Sequence, residues 1–237
     1  LLTSAESAQA AYADLVSAAQ NGQLPLERID QAVRRILTAK ARWGLTQFPV
    51  TQGSAPDWTM NREVAFDLGY RAITLMRNQW ALIPLSIAQP RLLVIGPTDG
   101  WGLYPALQGS LQASGFTYNL VTFSGPWNGA VPERNLLQSL PTQAASYDVI
   151  LIFTWEAHLN HLRYDDNFQA ELVNRLLATG KPVVVVALKS PTDLLEFPQA
   201  PTFLATYGAT AGQVQGIVDV LLGQTTPVGV NPLPGLP

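Results

Sequence analysis

The chain has 237 residues, 47% of them hydrophobic, enough for a substantial core and against general disorder. Charged residues make up only 13% and the net charge is −3, so no Lys/Arg stripe exists to neutralise phosphates and nucleic acid is excluded as a partner. With no cysteine, disulfides, thiolate nucleophiles and Cys-based zinc or iron–sulfur sites are ruled out, a composition compatible with a bacterial, extracytoplasmic setting.

Two helices are predicted first. Ser4–Ala19 is one, and the stretch Leu24–Phe48, "LPLERIDQAVRRILTAKARWGLTQF", carries the other. Ile29, Ala32, Val33, Ile36, Leu37 and Trp43 recur near helical period, so one stripe faces a core. Glu27 lies in the first turn and Arg34, Arg35, Lys40 and Arg42 in the later ones, each sign suited to its end of the helix dipole. Gly44 is placed to close the helix in the left-handed conformation. An αα-hairpin of this kind buries one face and needs a partner that these residues do not supply.

"TQFPVTQGSAPDW", with two prolines and a Gly-Ser, reads as a linker. A third helix is expected from about Met60 to Arg71, then a strand over Ala72–Asn78. From Arg91 the texture changes. "RLLVIG" (Arg91–Gly96), "DVILIFTW" (Asp148–Trp155) and "PVVVVAL" (Pro182–Leu188) are continuous apolar, β-branched runs, as in parallel strands covered on both faces. Thr117–Phe123 and Thr202–Tyr207 are further strands. Helical segments lie between, at Tyr104–Ser114, roughly Glu133–Ala145 and Phe168–Ala178, and Ala211–Gly223 closes the chain's last helix. Alternating strands and helices make this α/β, a flavodoxin-like sandwich with a mostly parallel sheet. No apolar run approaches the ~18–20 residues of a membrane helix, so no membrane partner is expected. No targeting segment is visible, and an opening at Leu-Leu inside a helix reads as a chain cut from something longer.

Ligands of open parallel sheets bind beyond the carboxyl ends of the strands. Three loops leave those ends: Gly96–Gly102 ("GPTDGWG"), Thr154–Asp166 ("TWEAHLNHLRYDD") and Lys189–Leu194 ("KSPTDL"). The first is neither G-x-G-x-x-G nor a P-loop, and an ordinary βα turn is the simpler reading. The second holds both histidines, His158 and His161, beside Asp165 and Asp166. These are metal-ligating residue types, but no regular element fixes their spacing, so neither a metal nor another cofactor is expected. Glu156 is the acid directly at a strand tip and the candidate general acid; a solvated loop carboxylate is its bland alternative. "KSPTD" reads as a turn followed by an Asp or Thr helix cap. No nucleophile elbow or Ser-His-Asp set is suggested. Trp101, Trp127 and Trp155 invite sugar stacking, although large aromatics also serve as core and rim. The candidate substrate-binding residues are Trp101, Trp155, His158 and Asp165.

"GQLPLERIDQAVRRILTAKARWGL" resembles the closing helix of the (β/α)8 barrel in glycoside hydrolase family 3. "AFDLGYRAITLMRN" with "LIPL" resembles that family's interdomain link. "GKPVVVVALKSPTDLLEFPQAPTFLATYGAT", followed by "VQGIVDVLLGQTTPVGVNPL", resembles the C-terminal α/β sandwich of its β-N-acetylhexosaminidase branch. The resemblance implies residues 1–45 as the tail of a barrel absent from this chain, 46–59 as linker and 60–237 as the sandwich domain. The partner is then the protein's own N-terminal barrel, with a glycan in the cleft.

Family members are retaining hydrolases with an Asp nucleophile on a barrel strand, and the proton-donating His of this branch lies in a barrel loop. Neither motif occurs here, so no catalytic residue carries over, and the implied role is a non-catalytic C-terminal region of a β-N-acetylglucosaminide hydrolase. In the β-glucosidase branch the acid/base Glu comes from the sandwich domain, and Glu156, with Asp165 or Asp166 and Gln169 downstream, sits in the comparable region without the flanking pattern. Two readings from other classes stand beside these. A nucleotide- or flavin-binding module would need phosphate-binding glycines after Ile95, which "GPTDGWG" does not match. A carbohydrate-binding module would use the tryptophans.

Overall fold

The computed structural model describes residues 5–45, 57–87, 89–98, 102–233 and 235–236. The chain divides into two compact units, Leu1–Pro56 and Asp57–Pro237. Most of the expected linker (46–56) lies outside the described residues, as does Trp101.

In the first unit, α1 spans Ala5–Gln20 and α2 Leu26–Arg42. Gly44, at φ 66°, closes α2 as expected, and the Leu45 N–H donates to the Lys40 carbonyl at 2.8 Å. No residue of either helix is buried. Their apolar residues line a groove of about 530 Å3, with Tyr12, Leu15 and Val16 on α1 and Ile29, Val33 and Ile36 on α2.

The second unit opens with α3, Trp58–Arg71. It starts two residues before the expected Met60, because the Asp57 carboxylate accepts from the backbone N–H of Thr59 (3.0 Å) and Met60 (3.1 Å) and sets an N-cap there. The strands are β1 (Thr74–Asn78), β2 (Arg91–Pro97), β3 (Thr117–Phe123), β4 (Val149–Thr154), β5 (Val183–Ala187) and β6 (Thr202–Ala205). They form one six-stranded sheet in the order β1-β6-β5-β4-β2-β3. All neighbours are parallel except β1, which runs antiparallel to β6 at one edge. Strands β3-β2-β4-β5-β6 therefore follow the doubly wound order of flavodoxin-like sheets. The helices are α4 (Leu103–Ala113), α5 (Leu136–Ala144), α6 (Ala157–Tyr164), α7 (Phe168–Leu177) and α8 (Ala211–Leu222).

Strand alternation divides the core into two layers. Leu92, Val94, Leu151, Phe153, Val184 and Val186 face α4 and α8. Leu93, Ile95, Ile150, Ile152, Val183 and Val185 face α5 and α7. Burial on both sides is why these strands read as unbroken apolar runs. Helix α3 lies on α8, where the Tyr70 hydroxyl donates to Asp219 at 2.9 Å.

Candidate functional site

The winding direction reverses between β2 and β4, so the crevice beyond their carboxyl ends is where this architecture receives ligands. On the β2 side, Gly96 and Pro97 belong to the strand itself. A Cβ at Gly96 would lie 2.6 Å from the Tyr104 hydroxyl, which donates to the Pro97 carbonyl at 2.5 Å. This glycine makes room for a tyrosine.

On the β4 side, Thr154–Asp166 is largely helix rather than loop. The eight residues of α6 occupy Ala157–Tyr164. Glu156 joins β4 to α6 in the left-handed conformation (φ 48°, ψ 41°), sparsely used by residues with a side chain and a mark of a backbone held by its surroundings. Four buried polar groups do the holding. Gln169 accepts from the Trp155 N–H at 2.8 Å and donates to its carbonyl at 2.9 Å. Asn160 donates to the same carbonyl at 2.8 Å. Asp193 accepts from the Thr154 hydroxyl at 2.7 Å and from the His158 N–H at 3.3 Å. Gln169→Leu is close in volume and removes both amide bonds. It is expected to cost about 2 kcal/mol, seen as a lower urea midpoint with unchanged slope.

The candidate residues fall as follows. Glu156 is half-buried at the β4 tip, close enough for its charge to help raise Asp193. Trp155 is only 3% exposed, and the Lys189 ammonium lies over its ring, 4.6 Å from the centroid. The ring is a wall of a cavity of about 230 Å3, shared with Lys189, Tyr207 and Thr210, rather than an open stacking platform. His158 and His161 lie one turn apart on α6, and their Nδ1 atoms meet the two oxygens of Glu196 at 2.7 and 2.9 Å. Asp165 caps the far end of α6 in the left-handed conformation (φ 53°), exposed and about 14 Å along the helix from Glu156. Trp127 sits in a short 3-10 turn, edge-on to Phe123 at 6.1 Å, in the core-rim role. The structure thus gathers Trp155, Glu156 and His158 and leaves Asp165 apart. Among the described residues, no three His, Asp or Glu side chains form a metal-holding group.

In the third loop the helix cap is Ser190, which accepts from the Thr192 N–H at 3.2 Å, rather than Asp or Thr. Asp193 is fully buried instead. Loss of solvent pushes its carboxyl up to about 6, against the pull of the Thr154 hydroxyl and the Ala157 and His158 N–H groups. Asp193 and Glu196 are the acids that sequence reasoning missed as site-builders. Their only signal was an acidic residue in a short turn beside a strand tip.

Residues 73–234 match the family model described as the glycosyl hydrolase family 3 C-terminal domain. A lysosomal beta glucosidase of Dictyostelium discoideum is 25% identical over 265 residues, covering 93% of this chain and 31% of that protein. A beta-N-acetylglucosaminidase/beta-glucosidase of Cellulomonas fimi is 26% identical over 240 residues, covering 90% of this chain and 40% of that protein. Among solved structures, a glycoside hydrolase family 3 beta-N-acetylglucosaminidase from Paenibacillus sp. str. FPU-7 superposes with a TM-score of 0.65 at 22% identity, over 95% of this chain and 43% of that one. The chain spans 31–40% of the length of these two curated relatives.

Proposed function

This chain belongs to glycosyl hydrolase family 3 through the C-terminal domain it carries over residues 73–234, and on that premise we propose that it is the non-catalytic C-terminal region of a retaining β-N-acetylhexosaminidase. Residues 1–45 then close a (β/α)8 barrel that bears the nucleophile and proton donor, 46–59 link the two, and 60–237 form the supporting domain. The observation that carries this reading is the unburied hairpin. Neither α1 nor α2 buries a residue, while Tyr12, Leu15, Val33 and Ile36 stand 71%, 57%, 45% and 55% exposed. An apolar surface of this kind marks an interaction face, and the relatives have more than half their length to provide its partner. The hexosaminidase assignment draws on "VALKSPTDL" and on the names of the Cellulomonas and Paenibacillus proteins.

The test compares this chain with a longer form carrying an upstream barrel, on a chromogenic N-acetyl-β-glucosaminide. Hydrolysis by the longer form alone is the expected result; hydrolysis by this chain overturns the proposal. A β-glucosidase-like reading has one observation in its favour, the place of Glu156 at the β4 tip on a backbone held in the left-handed conformation. Glu156→Gln separates the two. It leaves kcat of the longer form nearly unchanged if Glu156 is structural, and lowers it about 10²–10⁴-fold if Glu156 is the acid/base.

A further inference from the structure

We propose that the cavity beyond the carboxyl ends of β4, β5 and β6 binds a small organic carboxylate, with Lys189 supplying the counter-charge. Its lining residues leave those three strands in turn: Trp155 follows β4, Lys189 follows β5, and Tyr207, Gly208, Ala209 and Thr210 join β6 to α8. This is the end of an open parallel sheet at which ligands are received. The backbone around it is held rather than relaxed. Glu156, next to Trp155, and Tyr207 are non-glycine residues at positive φ, 48° and 59°, and such residues cluster where a site is pre-organised. A buried glutamine fixes each turn. Gln169 binds both backbone groups of Trp155. Gln213 donates to the Thr206 carbonyl at 2.6 Å and accepts from the Thr210 N–H at 2.8 Å, while the Thr206 hydroxyl donates to the Gly208 carbonyl at 2.7 Å. Position 208 takes glycine because a Cβ there would lie 2.7 Å from the Gln213 amide.

Volume and charge select the ligand. The cavity of about 230 Å3 has room for about eight waters at ~30 Å3 each. That suits a small organic acid and is too little for a nucleotide. The lining holds one formal charge, the exposed Lys189 ammonium, and no acid. This ammonium lies 4.6 Å from the centroid of the Trp155 ring, which seats it on the cavity wall. It has three N–H donors, so it can stay on the ring and meet a carboxylate. Asp193 turns the other way, to the Thr154 hydroxyl and the His158 N–H of α6. The remaining walls are apolar: the Trp155 ring, the Ala209 methyl and the Tyr207 ring, whose hydroxyl is directed to Thr74 Oγ1 at 3.3 Å. They fit the carbon skeleton of an organic acid, which inorganic phosphate lacks. The carboxylate is either free or carried on a sugar.

The experiment is an NMR titration of the 15N-labelled protein at pH 7, following the Trp155 indole and Thr210 amide signals. The probes are lactate as a free acid, glucuronate as a sugar-borne one, and glucose as the uncharged counterpart of glucuronate. Saturable shifts with at least one acid are expected, and which acid binds identifies the source of the carboxylate. Glucose is expected to bind at least tenfold more weakly than that acid. Lys189→Met changes an exposed side chain, keeps most of its stem and removes the charge; it is expected to weaken binding at least tenfold. Ala209→Leu leaves Lys189 in place, fills the cavity and is expected to abolish binding. No saturable shift with either acid overturns the proposal. So does glucose binding as tightly as the acids, or acid binding unaltered by Lys189→Met or by Ala209→Leu.

Discussion

Asp193→Ala is expected to lower the stability of the α/β unit by about 3 kcal/mol at pH 7, measured by urea unfolding. Three donors turn toward this carboxylate: the Thr154 hydroxyl and the backbone N–H groups of Ala157 and His158. Each buried group left without an acceptor costs about 1–3 kcal/mol. Part of that sum is offset, because alanine also removes a charge that burial disfavours. Asp193→Asn keeps the volume and one carbonyl oxygen, and the Thr154 hydroxyl can turn to accept from the new amide, so its cost is smaller.

The same pair of proteins tests the electrostatics. The carboxyl of Asp193 stands at about 6 in the folded protein, against an ordinary 3.8 in the unfolded chain. A carboxylate raised by folding binds its proton more tightly in the native state. Its contribution to stability is therefore fully present below the unfolded value and is lost as pH rises through about 6. The stability of wild type relative to Asp193→Asn should fall by about 3 kcal/mol between pH 3.5 and pH 7. A difference that stays level across that window would show that the hydrogen bonds cancel the effect of burial. Equal stability of wild type and Asp193→Ala at pH 7 would sink the structural role.

How far the sequence foretold this region depended on the scale of the signal. The runs ending at Gly96, Trp155 and Leu188 were legible because strands covered on both faces leave no polar position to blur them. Helix α2 was legible because seventeen residues give its apolar stripe several turns to repeat. Helix α6 has eight residues and carries two histidines, an asparagine and an arginine, too few turns for a period and too polar for a core stripe. Such a stretch reads as loop in one dimension. The candidate site suffered from a related blindness. Gln169, Asn160 and Asp193 look like surface residues in one dimension, and only the fold shows that they are buried and satisfied by the backbone of Trp155 and His158 and by the Thr154 hydroxyl. Trp155 failed in the opposite sense. Sequence identified a large ring at a strand tip but not that it is enclosed.

Gly212→Ala should destabilise the α/β unit by about 3 kcal/mol, although helix propensity alone would have alanine gain about 1 kcal/mol there. Gly212 lies in the first turn of α8, against α3. A Cβ at this position would overlap the Phe66 carbonyl oxygen and crowd its Cα at 3.0 Å, and these are backbone atoms of a helix that cannot rotate aside. Farther along α8, a Cβ on Gly216 would meet Ile73 Cγ1 at 2.8 Å and the Tyr70 carbonyl at 3.0 Å, so the two helices approach along a shared glycine face. Relief at Gly212 requires α3 to withdraw, which strains the Tyr70–Asp219 hydrogen bond and opens the core beside Ile73. Gly109→Ala in α4 is the matched control. No atom lies within 4 Å of its Cβ position, so propensity acts alone and the midpoint should rise by the equivalent of up to about 1 kcal/mol. Opposite signs at two helical glycines are what close packing of α3 on α8 requires; a gain at both would mean that the two helices stand apart.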